Sequence, residues 1–150
     1  MATIHYIKGD ATRPRGEGTK IICHISNDVG AWGAGFVLAL SKRWAEPEEM
    51  YREGVNRSLG NVQVVEVEDD ILVANMIAQH DIRPDANGTP PIRYGALRKC
   101  LTAVNDVAVQ INATLHMPRI GAGLAGGRWE DIEKIIRETA RVNVYIYDLK

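Results

Sequence analysis

The stretch Met117-Pro118-Arg119-Ile120-Gly121-Ala122-Gly123-Leu124-Ala125-Gly126-Gly127 decides how this chain is read. It follows a short apolar strand, Thr114 to Met117, and runs into a helix from about Trp129, with Ile132, Ile135 and Ile136 on one face. Strand, glycine loop and helix together make an anion-binding design. A helix N-terminus presents unpaired N–H groups and partial positive charge. Glycines let the backbone come close to a phosphate and supply the dihedral angles that such loops need.

The same design occurs a second time upstream. Ile21-Ile22-Cys23-His24-Ile25 is a nearly all-apolar strand of the kind covered on both faces. Ser26-Asn27-Asp28-Val29-Gly30-Ala31-Trp32-Gly33-Ala34-Gly35 follows, then an apolar helix over Phe36–Trp44. In open α/β sheets, ligands bind beyond the carboxyl ends of the strands. Two such loops on one sheet edge suit a ligand with two phosphates; the bland alternative is a pair of tight turns.

The remaining elements fit around these two units. Ala2–Lys8 reads as a strand stopped by Gly9-Asp10, and a second helix starts at Pro47 and runs to about Arg57. Val62–Glu68 and Ile71–Ile77 read as strands joined by Asp69-Asp70. Ala78–Pro91 is a polar loop with three prolines, a length that usually carries function or motion. Leu97, Cys100, Leu101, Val104, Val107, Ala108 and Ile111 set the clearest helical spacing, and Val142–Tyr147 closes the chain as a strand. The alternation predicts one α/β domain over residues 1–150, with a largely parallel or mixed sheet between helical layers.

Composition narrows the function classes. The chain has 150 residues, with 18 Lys and Arg against 19 Asp and Glu, a net charge of -1. That balance argues against a surface that neutralises a nucleic-acid backbone and against a polybasic membrane patch. No apolar run reaches the ~18 to 20 residues of a membrane helix, and the start lacks the pattern of a secretory signal. Cys23 and Cys100 lie far apart in apolar runs, as buried free thiols of a reducing cytoplasm would. His5, His24, His80 and His116 show no metal-ligand spacing, so no metal is expected, and His24 and His116 read as core histidines. Trp32 has two readings, an exposed cover for a ligand or a buried anchor for its loop.

Gly121, Gly123 and Gly126 match the G-x-G-x-x-G dinucleotide pattern, with Asp148 after the next strand where an acidic residue would hold a ribose. A nicotinamide-binding fold opens with that motif and builds several strands after it. Here one strand follows, so the pattern supports phosphate binding more than hydride transfer.

Gly9-Asp10-Ala11-Thr12, His24-Ile25-Ser26-Asn27-Asp28 with Gly33-Ala34-Gly35, and Met117-Pro118-Arg119-Ile120-Gly121-Ala122-Gly123-Leu124 ahead of Trp129 resemble a macrodomain. The match covers essentially the whole chain and is closest to the branch of terminal ADP-ribose protein glycohydrolases and chromatin-remodeller readers. The resemblance implies a three-layer α/β/α fold with a mixed six-stranded sheet and an ADP-ribose cleft at its edge. It implies that Asp10, beside Ala11, accepts a hydrogen bond from the adenine amino group; a solvated turn residue is the alternative. Backbone N–H groups of Gly121, Ala122, Gly123 and Leu124 would meet the diphosphate. Ser26, Asn27, Gly33, Ala34 and Gly35 would surround the distal ribose, Ala11, Arg119 and Ile120 would complete the ADP-ribose-binding set, and Tyr147 would stack on adenine, a half-buried strand aromatic being the alternative.

The catalytic members of this branch use a lysine and an aspartate; the corresponding positions here are Gln79 and Ala125. A glutamine amide is no such nucleophile, and alanine moves no protons. What remains is binding alone or hydrolysis by bound water, with Asn27 and Asp28 as the catalytic candidates. Expected partners are ADP-ribose and ADP-ribosylated proteins, with no cofactor, no nucleic acid, no membrane and a monomeric, cytoplasmic protein.

Overall fold

The structure is a computed structural model; it describes residues 2–54 and 56–149. Met1, Val55, inside the predicted second helix, and Lys150 lie outside the described residues.

Six strands and four helices follow in the order β1 (Ile4–Lys8), β2 (Thr19–Asn27), α1 (Phe36–Arg43), α2 (Glu46–Arg52), β3 (Val62–Glu68), β4 (Ile71–Gln79), α3 (Tyr94–Ile111), β5 (Ala113–Met117), α4 (Trp129–Thr139) and β6 (Val144–Asp148). They form one sheet in the order β1-β6-β5-β2-β4-β3. Every neighbouring pair is parallel except β3 with β4, which the Asp69-Asp70 turn makes antiparallel. The sheet is therefore mixed and six-stranded, as expected. Five strands end on one edge, which gathers the loops after β1, β2, β4 and β5 in one place.

Apolar side chains on both faces of β2 and β4 explain the three layers. Ile21, Cys23, Ala74 and Met76 pack against Leu97, Cys100, Leu101 and Val104 of α3 and Ile132, Ile135 and Ile136 of α4. Ile22, Val73 and Ile77 pack on the other side against Val37 and Leu40 of α1, Tyr51 of α2, Trp32 and Trp44. Burying one such Leu or Ile contributes roughly 1.5–3 kcal/mol. Both cysteines are buried and free, and burial pushes both thiols up.

The second helix is shorter than its pattern predicts. It stops at Arg52, because Gly54 at φ 79° turns the chain out of the helix. By contrast, β2 and β4 each run two residues further, to Asn27 and Gln79, because they pair with each other up to that point.

Two histidines stabilise the core as neutral rings. His24 Nε2 lies 2.5 Å from Asn75 Oδ1, and the Asn75 amide donates to Pro47 O at 3.1 Å. That donation fixes the amide's orientation, so Nε2 carries the ring hydrogen. His116 sits between Thr114 Oγ1 at 2.8 Å and Tyr147 Oη at 2.7 Å. Burial lowers His24 to about 4 against the opposing pull of Asn75; burial and then the Lys20 charge lower His116 to about 4. Below an unfolded value near 6.5, the unfolded chain takes up protons that the native rings refuse. Stability is therefore expected to fall as pH drops from about 6.5 toward 4, by on the order of 2 kcal/mol for each histidine. Urea unfolding at pH 7 and pH 5 reads this; equal midpoints would contradict it.

Candidate functional site

The two glycine loops meet over a cleft of about 580 Å³ at the carboxyl edge of the sheet. The first loop supplies Ser26, Asn27, Gly33, Ala34 and Gly35; the second supplies Arg119, Ile120, Gly121, Gly123 and Leu124. Leu124, 71% exposed, reaches across, and its Cδ1 would lie 3.4 Å from a Cβ on Gly35. Gly35 has φ 79° and caps α1, a conformation that glycine takes without strain.

Each loop carries unused donors. The N–H groups of Gly33, Ala34 and Gly35, and those of Gly121, Gly123 and Leu124, have no protein acceptor among the described residues. Ala122 departs from expectation. Its N–H points to Arg119 O at 3.5 Å, its side chain packs on the core, and it does not line the cleft. Gly127 N–H donates to Gly121 O at 2.7 Å and closes the second loop on itself.

Past Gly35, a neighbouring cavity of about 450 Å³ is lined by Asp10, Thr12, Arg13 and Lys42. Thr12 donates to Asp10 Oδ1 from both its N–H, at 2.9 Å, and its hydroxyl, at 2.7 Å. The carboxylate is thereby held in one orientation, with Oδ2 unengaged among the described residues. Ala11 has a buried side chain, and its N–H also lacks a protein acceptor among the described residues.

Three expected roles need correction. Tyr147 is 3% exposed; its hydroxyl accepts from Arg15 N–H at 2.8 Å and meets His116 at 2.7 Å. It secures the loop after β1 and offers no face to a ligand. Asn27 lines the cleft, but its amide is engaged inside its own loop. Nδ2 donates to Ala31 O at 2.7 Å, and Oδ1 accepts from Val29 and Ala31 N–H, each at 3.1 Å. The Tyr51 hydroxyl lies against it as well, at 2.5 Å. Asn27 organises the loop and is not placed to catalyse. Asp28 leaves the cleft altogether: it meets His80 Nδ1 at 2.7 Å and accepts from Asp81 N–H at 2.8 Å. Burial pushes its carboxyl up, but His80 and the Asp81 N–H outweigh that and hold it below the usual range. A general base works best with a pKa near the operating pH, so Asp28 is poorly suited to that role.

Trp32 settles on its anchoring reading. It is buried, donates from Nε1 to Ser41 Oγ at 2.8 Å and packs edge-on to His24. Gln79 and Ala125 both line the cleft; the Gln79 amide nitrogen donates to Asp81 O at 2.9 Å. Sequence reasoning missed Phe36 and Ile82 as cleft residues, and His24 as part of the cleft wall. Phe36 could have been found as the first side chain after the glycine loop; Ile82, an isolated apolar residue in a polar loop, carried a fainter signal. The two buried side-chain atoms without a partner among the described residues, His24 Nδ1 and Ser26 Oγ, both belong to cleft-lining residues.

No family model matches the chain. Solved structures and curated proteins do. A Bacteroides thetaiotaomicron protein of unknown function is 54% identical, with 99% of each chain covered and a TM-score of 0.96. A macrodomain protein from Streptomyces coelicolor is 43% identical, covering 99% of this chain and 100% of that one, with a TM-score of 0.86. The cattle ADP-ribose glycohydrolase OARD1 is 30% identical over 95% of this chain and 90% of its own length. The chain spans only 18% and 14% of the mouse and zebrafish chromodomain-helicase-DNA-binding protein 1-like relatives that it also matches. A full-length relative at this identity, a mixed sheet in this strand order and a two-loop cleft on its carboxyl edge agree: the chain belongs to the macrodomain family.

Proposed function

We propose that the cleft binds ADP-ribose and that the protein hydrolyses ADP-ribose esters on acidic side chains, or acyl-ADP-ribose, through a bound water. The carrying observation is the pair of facing loops with six N–H groups that lack protein acceptors among the described residues. Such a cradle suits a diphosphate without any surplus of Lys or Arg. Asp10 Oδ2, beyond Gly35, suits an exocyclic amino group, because a carboxylate only accepts. The name of the cattle relative, an ADP-ribose glycohydrolase, supports a hydrolytic role.

No Lys, Cys, Asp or Glu lines the main cleft among the described residues. A covalent route through a lysine, thiol or carboxylate nucleophile therefore has no candidate among the described lining residues, and esters need only an activated water. The Gln79 side-chain carbonyl stands in the wall to hold one, with the ligand's own phosphate as the remaining acceptor. The same bare wall favours a second reading, a module that binds ADP-ribose without chemistry. A glutamate-linked ADP-ribosylated peptide separates the two. Released ADP-ribose in proportion to enzyme supports the hydrolase; binding without release at high enzyme concentration leaves the reader.

A further inference from the structure

We infer that the β4 end of the cleft is an apolar subsite with Ile82 as its specificity-determining residue, and that it takes an aliphatic acyl chain longer than acetyl, borne on the distal ribose; this rests on the ADP-ribose reading above. The strand order decides which end is which. Asp10 follows β1, an edge strand, and Gln79 ends β4, four strands further across the sheet. At about 4.8 Å per strand the two ends stand roughly 19 Å apart. With the amino edge of the base at Asp10 and the diphosphate on the glycine loops after β5 and β2, whatever the distal ribose carries falls toward the end of β4.

A tightly held turn brings Ile82 to that end. Gln79 and Ile82 both line the cleft. Between them Asp81 has φ 61°, a left-handed conformation uncommon outside glycine. Polar contacts on every side keep it there. Asp81 N–H donates to Asp28 Oδ1 at 2.8 Å, Gln79 Nε2 donates to Asp81 O at 2.9 Å, and Ile82 N–H donates to Asp81 Oδ1 at 2.7 Å. His80 Nδ1 meets the other oxygen of Asp28 at 2.7 Å, and His80 N–H donates to Pro91 O at 2.8 Å, which ties the two ends of the long loop together. The residue that leaves this turn is Ile82, 46% exposed although it lines the cleft. Asp28, on the first ligand loop, is thus a positioning residue: it clasps the turn that sets where this apolar side chain stands.

The surroundings select the class of group. Phe36 and Val37, at the start of α1, line the same cleft, and no Lys, Asp or Glu does among the described residues. Arg119, the charged lining residue, stands after β5 and is already paired with Asp148 at the end of β6. A charged substituent near Ile82 would lose water with no counter-charge to replace it. Methylene groups gain by the same transfer, because apolar area leaves water. An acetyl group offers one methyl to such a wall; each further methylene adds area to bury.

The experiment measures, by calorimetry, affinity for ADP-ribose and for three derivatives with an ether on the distal ribose, which cannot be cleaved as esters: methyl, butyl and carboxypropyl. Wild type is expected to bind the butyl ether about 10-fold more tightly than the methyl ether, and the carboxypropyl ether no more tightly than methyl. Ile82→Ala should cut the butyl-to-methyl ratio to about 2 or less, and Ile82→Leu should keep it. Asp28→Ala, which releases the turn, should lower the ratio as well. A merely structural role for either residue would weaken both ethers alike and leave the ratio intact. A wild-type ratio near 1, a ratio that survives Ile82→Ala, or an equal gain from the carboxypropyl chain overturns the subsite while the ADP-ribose reading stands. No ADP-ribose binding by the wild type overturns both.

Discussion

Gly123→Glu is expected to weaken ADP-ribose binding by at least about 100-fold, because its carboxylate would stand within a few ångströms of the diphosphate in a partly desolvated cleft. The position makes this a clean test. A Cβ on Gly123 meets nothing within 4 Å, and the residue does not sit at positive φ. Folding should therefore be left within about 0.5 kcal/mol of wild type, as for other unconstrained surface sites. Calorimetry with a matched thermal melt checks both halves. Retained affinity with an unchanged melt would mean that the diphosphate does not lie on the second loop.

Gly121→Val should do the opposite and damage the fold first. Gly121 has φ 74°, and its Cβ would lie 2.6 Å from Ile92, 3.0 Å from Ile25 and 3.1 Å from Ile132 side chains. Those three residues come from the base of the long loop, β2 and α4, so the glycine is where three elements close on the loop. Backbone strain for a β-branched residue and overpacking each contribute about 1–3 kcal/mol, giving a loss of roughly 3 kcal/mol or more. For a chain of this size that is a fall of about 6–12 °C in Tm. A shift under about 2 °C would show that the loop yields freely and that its shape is not set by this contact.

The contrast between these two glycines marks how far the sequence could be read. Both stand in one loop, two residues apart, and both were legible as ligand-loop glycines from the strand–loop–helix pattern. Their different duties depend on Ile25, Ile92 and Ile132, which come from distant parts of the chain. The six strands and the two facing loops were legible because periodicity and glycine spacing are local signals. The directions of Tyr147, Asn27 and Asp28 were not. Strand alternation places Tyr147 on a face, but only the packing of Arg15 and His116 around its hydroxyl shows that it is covered. The residues Asn27-Asp28 look equally available as catalysts in one dimension. In three, Asn27 is drawn into its own loop and Asp28 across to His80, 52 positions away. Arg119 was legible as part of the loop motif, but its neighbours were not: only the fold brings Tyr6, Trp129 and Asp148 beside it, from β1, α4 and β6.

The macrodomain cleft can also be reconciled with the near-neutral charge of the chain. Backbone N–H groups supply the positive ends that an anion needs, so 18 basic residues against 19 acidic ones are no obstacle. Isothermal titration of the wild-type protein with ADP-ribose, with NAD as control, tests that claim most directly. Saturable one-to-one binding of ADP-ribose well below millimolar, and weaker binding of NAD, is the predicted result; no heat of binding with millimolar ADP-ribose would contradict it.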